Sequence, residues 1–168
     1  MSLRDATEAD AEAITRIYNE VIRTSDAIWL DDEVTVDDRL DWLRAALGAG
    51  HDVVVACDDQ GQVVGYASLG PFRTKSGYWP TVEHSVHVDG RHRGAGIGQD
   101  LLDELTRRAT SAGRKVMVAA IDGGNDGSIR FHERNGFRTV GTLPGVGRKS
   151  GRVVDLVLMQ RDLEEAQP

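Results

Sequence analysis

The chain lacks most of the features that mark disulfide-rich, membrane and secreted proteins. Its 168 residues include one cysteine, Cys57, so no disulfide can form within the chain. Cys57 follows the apolar run Val53–Ala56, which suits a buried thiol in a reducing compartment. No apolar stretch approaches the ~20 residues of a membrane span, and residues 1–5 lack the layout of a secretory signal. We therefore expect a cytoplasmic protein without a membrane partner.

Positive charge is also scarce. Lys and Arg total 20 against 27 Asp and Glu, a formal net charge of −7. This balance argues against generic binding to nucleic acids, although a local basic site remains around Arg91–Arg93. The length is that of one domain, and the 40% of hydrophobic residues suffices for a sizeable core. We expect a single domain over residues 1–168, with a frayed tail at 164–168.

Hydrophobic periodicity and turn residues predict four helices. Thr7 and Asp10 resemble a capping box before the first helix. A second helix should begin after Thr35 and end at Gly48, with three leucines facing inward, Leu40, Leu43 and Leu47. A third follows a glycine-rich turn and ends at Gly113. A fourth spans Asp126–Arg134 and is closed by Asn135 and Gly136.

Alternating or continuous apolar runs predict seven strands. The last two are separated by a predicted loop at Gly145–Gly151. Together the elements follow the order β-α-α-β-β-β-α-β-α-β-β, a mixed α/β sheet with helices on its faces. The predicted strands are Leu3–Ala6, Asp52–Asp58, Gln62–Leu69, Thr81–Val88, Lys115–Ile121, Phe137–Leu143 and Arg152–Arg161.

The strongest chemical signal is the glycine-rich turn Arg91–Gly98 between a strand and a helix. Glycines let the backbone turn tightly, and the free N–H groups of the first helical turn then face a ligand, which should be anionic. A turn that uses glycine for geometry alone would also fit. The dinucleotide fingerprint fails because its third glycine would be Gln99, and the P-loop fails because no lysine follows the glycines.

The motif Arg93-x-x-Gly96-x-Gly98 resembles the [RQ]-x-x-G-x-[GA] hallmark of the GNAT superfamily of acyl-CoA-dependent N-acyltransferases. The element order matches that fold over nearly the whole chain. The resemblance implies acetyl-CoA as co-substrate, with its pyrophosphate on the amides of the turn. It further implies that the preceding strand binds the pantetheine arm. The residues so implied are Val86, His87, Val88, Arg93, Gly94, Ala95, Gly96, Ile97 and Gly98.

A second motif agrees independently. Asn125-x-x-Ser128-x-x-x-His132-x-x-x-Gly136-Phe137 resembles the GNAT pattern N-x-x-[AS]-x-x-x-[YH]-x-x-x-G-F. The resemblance places Asn125 and Ser128 beside the cofactor and His132 near its sulfur. Taken alone, Asn125 would be a helix cap and His132 a surface residue. As a catalytic residue, His132 has two open roles, general acid to the thiolate or member of a proton relay.

Within the superfamily the chain resembles phosphinothricin and methionine sulfoximine or sulfone acetyltransferases. The stretches that carry this resemblance are Thr81–Val86, Val116–Ile121, Asp155–Gln160 and Asn19–Trp29. It implies N-acetylation of a small amino-acid-like amine and a homodimer. The chain departs from the usual Lys-Phe-Gly-x-Trp pattern, since it has Lys149-Ser150-Gly151-Arg152-Val153. The loss of two aromatics predicts an altered or more open acceptor pocket.

Glu83 is the predicted base, because the resemblance places an active-site glutamate there and a partly enclosed carboxylate can have a raised pKa. The resemblance also places a substrate-binding arginine at Arg73, and a guanidinium suits a substrate carboxylate. Taken alone, Arg73 would equally be a solvated loop residue. Additional substrate contacts are expected from Trp29, His84, Ser85 and Lys149. We expect no metal, because His84 and His87 fall on opposite faces of a strand and no further ligand set accompanies them.

Three other functions remain as alternatives. The same fold could acetylate a protein N-terminus or lysine, and the loss of two aromatics would suit an open cleft. A non-catalytic acyl-CoA sensor is a different class, but a sensor has no need of Glu83 and His132. A nucleotide-binding oxidoreductase comes last, because its fingerprint fails at Gln99.

Overall fold

Seven strands form one mixed sheet in the computed structural model, which describes residues 1–163. The expected frayed tail at 164–168 lies outside the described residues. The spatial order is β1-β2-β3-β4-β5-β7-β6. Neighbours pair antiparallel except for β4 and β5, which are parallel. The strands are β1 Ser2–Asp5, β2 Val53–Cys57, β3 Val63–Pro71, β4 Thr81–Val88, β5 Val116–Asp122, β6 Arg138–Lys149 and β7 Arg152–Asp162.

The four predicted helices are present: α1 Ala11–Thr24, α2 Val36–Gly48, α3 Ile97–Ser111 and α4 Asp126–Arg134. The predicted element order is therefore confirmed, and α4 has the predicted bounds. The Thr7–Asp10 capping box is also confirmed, around a 3₁₀ turn at Glu8–Asp10 that leads into α1. A free, buried Cys57 in β2 agrees with the prediction for the thiol.

The predicted inward face of α2 is wrong at one position. Leu47 is 37% exposed, whereas the buried residues of α2 are Arg39, Leu43 and Ala46. The buried stripe is therefore rotated relative to the leucine pattern. It is rotated because the guanidinium of Arg39 lies over aromatic rings of α1 and α2, so this long polar side chain takes an inward position.

The predicted loop at Gly145–Gly151 is also wrong. β6 continues to Lys149 and pairs with β7, and the turn is confined to Ser150 and Gly151, with φ of 50° and 76°. The register shifts between Leu143 and Gly147, so the proline and glycine of this stretch lie in an irregularity of an edge strand rather than in a loop.

The two faces of the sheet carry separate apolar cores. One core joins α3 and the neighbouring strands through the buried apolar residues of α3, which are Ile97, Leu101, Leu102, Leu105 and Ala109. The other joins α1 and α2 to β2 and β3. No helix of residues 1–163 combines the length and apolarity needed to cross a bilayer. The functional residues lie where the sheet opens between these two layers.

Candidate active site

The sheet splits between its two parallel strands. β4 pairs with β5 only from Thr81 to Glu83, and beyond Glu83 it pairs with β3 alone. β5 continues beside β7 as far as Asp122. A cavity of about 850 Å³ occupies the split and is lined from both faces of the sheet. Its volume falls in the range of small-molecule and cofactor sites.

The split leaves backbone amides of β4 without strand partners. The amide of Asp89 donates to the carbonyl of Val64 on β3, at 2.9 Å. Because successive peptide groups of a strand point in opposite directions, the amides of Val86 and Val88 point towards the split, beyond the stretch of β4 that pairs with β5. All three predicted pantetheine residues, Val86, His87 and Val88, line the cavity, and their contact with the co-substrate stays a prediction.

The glycine-rich turn lies at one end of the cavity and leads into α3. Gly94 and Gly96 adopt φ of 79° and 85°, a left-handed conformation that side chains disfavour. A Cβ at either position would meet no atom within 4 Å, so conformation rather than crowding requires glycine. Gly96 is the N-cap of α3, whose first amides are free to bind an anion. The side chain of Ile97 packs in the core, which leaves only its backbone for a ligand.

A buried carboxylate holds this turn, and the sequence analysis missed it. Asp89 is 1% exposed and accepts from Arg91 at 2.8 Å and from Arg16 of α1. The hydrogen bonds from Arg91 hold the pKa of Asp89 well below its usual range, and Arg16 adds to this against the cost of burial. Glu20 of α1 accepts from the amide of Gly90 at 3.0 Å. Only the position of Asp89 at the end of the strand pointed to this role.

Helix α4 forms the opposite wall. Asn125 caps it, with its side-chain oxygen accepting from the amide of Ser128 at 3.0 Å. Nδ1 of His132 lies 2.7 Å from the carbonyl oxygen of Ser128. A carbonyl only accepts, so Nδ1 carries the proton and Nε2 presents a lone pair in the neutral ring. Nε2 is buried without a partner within residues 1–163, and all three residues line the cavity.

Burial keeps His132 of α4 and the neighbouring His84 of β4 neutral. The ring of His84 lies 5.1 Å from that of His132, centroid to centroid, and both of its nitrogens lack partners within residues 1–163. Burial, then the neighbouring His132 and His87, lower the pKa of His84 to about 3. Burial also lowers the pKa of His132, against the hydrogen bond to Ser128.

Glu83 and Ser85 lie on the other face of β4. Their side chains alternate with that of His84 and point towards α1 and α2. Glu83 is half-buried in the cavity wall, and burial raises its pKa while the charge of Arg73 opposes the rise. Ser85 shares a hydrogen bond of 2.9 Å with Ser68 of β3. A carboxylate with a raised pKa in a cleft is suited to accept a proton.

Three predicted substrate residues, Arg73, Lys149 and Trp29, lie outside this cavity. Arg73 is exposed, packs over Phe72 and lines a smaller cavity of about 310 Å³. Lys149 is buried and donates to the carbonyls of Ile22 and Leu30, so it holds the segment after α1 rather than a substrate. This corrects the expectation for Lys149, because both carbonyls occupy its ammonium group.

Trp29 lies behind the wall rather than in it. Its indole N–H donates to Asp122 at 3.1 Å, and its ring occupies the space that a Cβ at Gly147 would need, 2.3 Å away. Asp122 does line the cavity. Residues 1–163 contain no cluster of three or more His, Cys, Asp or Glu side chains that could hold a metal. Further wall residues that sequence analysis missed are Tyr18, Arg39, Trp42 and Asp122.

Comparison with known proteins agrees with this geometry. The sequence matches the acetyltransferase (GNAT) family over residues 14–137. An L-methionine sulfoximine/L-methionine sulfone acetyltransferase of Pseudomonas paraeruginosa is 45% identical over 163 residues, which cover 97% of this chain and 95% of the relative. The crystal structure of a ribosomal-protein-alanine N-acetyltransferase from Brucella melitensis superposes with a TM-score of 0.92 at 43% identity, covering 96% of this chain and 99% of that one.

A GNAT superfamily phosphinothricin acetyltransferase from Sinorhizobium meliloti, solved in complex with acetyl-CoA, superposes with a TM-score of 0.92. The two sequences are 37% identical, and the superposition covers 98% of this chain and 89% of the other. The free amides of β4 and the glycine turn fit that co-substrate. The expected fold, enzyme class and co-substrate are thus confirmed, and the protein is an acetyl-CoA-dependent N-acetyltransferase. The chain belongs to the acetyltransferase (GNAT) family.

Proposed function

We propose that this enzyme acetylates the primary amine of a small amino-acid-like acceptor of the methionine sulfone, methionine sulfoximine or phosphinothricin type. The observation that carries the proposal is the half-buried Glu83, whose pKa is raised, in the same cavity as the free amides of β4. The names of relatives with 45% and 37% identity support this class of acceptor. The amine would attack the thioester directly, without an acyl-enzyme.

Glu83 acts as the base in this proposal. A protonated amine must lose a proton to become a nucleophile. Burial raises the pKa of Glu83, which makes its carboxylate a more effective proton acceptor. Glu83 takes the proton directly or through a water molecule. Because only its ionised form accepts a proton, the rate falls as the pH drops through this raised pKa.

His132 acts as the second member of a proton relay. It reaches the reaction neutral, because burial lowers its pKa, and its Nδ1–H is held by the carbonyl of Ser128. Nε2 therefore has to receive a proton before it can donate one, and the second proton of the amine, released as the C–N bond forms, supplies it. This order favours the relay over a role as a preformed general acid. Once charged, His132 can protonate the leaving thiolate.

Acetylation of a peptide or protein amine is the second candidate. The tip of the β6–β7 hairpin carries Ser150 and Val153 in place of the usual aromatics, and Val153 is 59% exposed. A relative at 43% identity is a ribosomal-protein-alanine N-acetyltransferase. An open hairpin tip would leave room for a longer chain, so peptides belong in the panel of acceptors.

The test is release of free CoA thiol from acetyl-CoA against a panel of amines. The panel holds phosphinothricin, methionine sulfone, methionine sulfoximine, the common amino acids, polyamines and short peptides. We expect strong turnover of the methionine analogues. Turnover of peptides alone would replace the proposal with protein acetylation, and tight acetyl-CoA binding without turnover would indicate a sensor.

We further propose a cytoplasmic homodimer that does not bind nucleic acid. The free thiol of Cys57 suits a reducing compartment, and the net charge of −7 disfavours nucleic acid. The edge hairpin exposes apolar side chains that a second copy would cover, namely Val140, Leu143, Val146 and Val153. Light scattering in solution should give twice the 18.3 kDa chain mass, and a monomer mass would contradict the dimer.

A further inference from the structure

A second buried histidine lies beside His132, and the proposed proton relay does not use it. His84 follows Glu83, the last residue of β4 that pairs with β5; it is 8% exposed and lines the cavity. Its ring lies 5.1 Å from that of His132, centroid to centroid, with the two planes tilted by 31°. Phe137 packs against both rings. The two imidazoles therefore share one pocket where the sheet splits.

Three nitrogens of this pair have no hydrogen-bond partner within residues 1–163, namely Nδ1 and Nε2 of His84 and Nε2 of His132. A buried polar group without a partner destabilises a fold, and most such groups in proteins are paired with protein or with water. An apolar side chain of similar size would fill the position of His84 without this cost. The imidazole at this position therefore indicates a small polar partner from outside the chain.

His84 is a neutral group that can both donate and accept a hydrogen bond. Burial, then the neighbouring His132 and His87, lower its pKa to about 3, so the ring is uncharged at physiological pH. In a neutral imidazole one nitrogen carries a proton and the other a lone pair. Nε2 of His132 has a lone pair alone, because Nδ1 carries the proton that the carbonyl of Ser128 accepts. A molecule that donates to one ring and accepts from the other would satisfy both.

We infer that His84 is a positioning residue that, together with Nε2 of His132, holds a water molecule beside the sulfur of the co-substrate. A buried water needs about two to four polar partners, and the two imidazoles and the sulfur supply them. One intervening water keeps a general acid within reach of the group that it protonates. The inference rests on the relay role proposed for His132, and His84 acts through that residue.

The protons of the transfer balance with this water in place. The ammonium group of the acceptor gives one proton to Glu83, and the free amine attacks the thioester carbonyl. As the C–N bond forms, the nitrogen releases its second proton, which passes through the water to Nε2 of His132. The C–S bond then breaks, and its electron pair stays on the sulfur. The water donates a proton to this thiolate and takes the proton of His132 in exchange, so the products are the amide and CoA thiol.

The experiment combines variants of His84 with His132→Ala and follows the acetylation of methionine sulfone. His84→Leu removes both ring nitrogens and keeps the space filled. His84→Asn and His84→Gln return an amide near the position of Nδ1 or of Nε2. Val82→Ala is the matched control, because Val82 is buried on the same face of β4 and lies outside this cavity. Crystal structures of the wild type and His84→Leu with CoA, at a resolution that shows ordered water, test the site itself.

For His84→Leu we expect kcat to fall about 3- to 10-fold, since a hydrogen bond to the proton-carrying water is lost. The KM of the acceptor and the Kd of acetyl-CoA should change less than about 2-fold. One of the two amide variants should recover most of the loss. In the His132→Ala background, His84→Leu should change kcat less than about 2-fold, because both residues act on the same water.

Stability separates this role from simple packing. His84→Leu should unfold at a denaturant concentration no lower than that of the wild type, because it removes polar atoms from a buried position. Val82→Ala should unfold at a lower concentration, because it leaves a cavity, while its kcat stays within about 2-fold. A loss of stability in His84→Leu as large as that in Val82→Ala, with no recovery in either amide variant, would make His84 a packing residue.

Four further results would overturn the inference. They are a normal kcat in His84→Leu, weaker binding of acetyl-CoA in that variant, an undiminished loss in the His132→Ala background, and a wild-type crystal structure without ordered water between the two rings. A normal rate in His132→Ala would instead reject the proposed relay. If the wild type does not acetylate methionine sulfone, the proposed acceptor is wrong, and the water in the CoA complex still decides for or against the site.

Discussion

The two walls of the cavity are built in different ways. One wall, to which we assign the co-substrate, consists largely of backbone: the amides that β4 turns towards the split, and the left-handed glycines before α3. The other wall, to which we assign the acceptor, consists of side chains from separate elements, with Tyr18 and Arg39 on helices and Glu83 on β4. A backbone wall binds a ligand common to a whole family. A wall of side chains can change its acceptor without disturbing the other wall.

The largest effect should come from Glu83→Gln. Loss of the base should lower kcat about 10²- to 10⁴-fold. In the wild type, kcat/KM should fall at acidic pH, because protonation removes the base and the pKa of Glu83 is raised. The variant should lose this acidic limb. A pH–rate profile of both proteins checks the prediction, and an unchanged acidic limb in the variant would assign it to another group.

His132→Ala should have the next largest effect, about 10- to 100-fold on kcat. The ring of His132 is neutral, and its Nε2 has no partner within residues 1–163, so its removal deletes the relay member that passes a proton to the thiolate. Small acids such as imidazole, added in solution, should restore part of the rate. If the variant turns over as fast as the wild type, His132 is a packing residue beside His84 and Phe137.

The co-substrate wall should respond to Gly96→Ala through affinity rather than rate. Gly96 has φ of 85°, and a side chain there costs roughly 1–2 kcal/mol, or about 10-fold in the Kd of acetyl-CoA. Gly70→Ala is the control, since Gly70 has ordinary φ, open space around its Cβ and no place in the cavity. Calorimetric titration measures both. A fall in kcat at unchanged Kd would contradict the assignment of co-substrate binding to this wall.

Lys149→Met should have the smallest effect on activity. The ammonium group joins β6 to the carbonyls of Ile22 and Leu30, so its loss should lower the free energy of unfolding by about 1.5–3 kcal/mol. The KM of the acceptor should change less than about 2-fold. Denaturant unfolding and steady-state kinetics on one preparation separate the two. A large rise in KM with normal stability would return Lys149 to the acceptor site.

The sequence was informative where function depends on local geometry. The turn at Gly94–Gly98 and the helix Asp126–Arg134 were predictable, because glycine conformations, caps and i,i+4 spacing are encoded within a few residues. The same local logic failed at Gly145–Gly151, where pairing with β7 overrides the preference of glycine and proline for a loop. Strand pairing depends on distant residues, so it could not be derived from that stretch alone.

The acceptor wall was not predictable for the same reason. Arg39 reads as one more exposed charge in an acidic helix start, and only the packing of α2 against α1 turns it inward. Lys149 and Arg73 looked like substrate cations, yet one is held by two carbonyls and the other lies in a different cavity. Nothing local distinguishes these three cations, because their roles depend on residues far away in the sequence.

The most direct test of the division between the walls is a titration of acetyl-CoA into Glu83→Gln beside the wild type. We predict the same Kd within about 2-fold in a protein that has lost nearly all turnover. This result would place Glu83 on the acceptor wall alone. A Kd that weakens as much as kcat falls would contradict it, because Glu83 would then belong to the binding of the co-substrate.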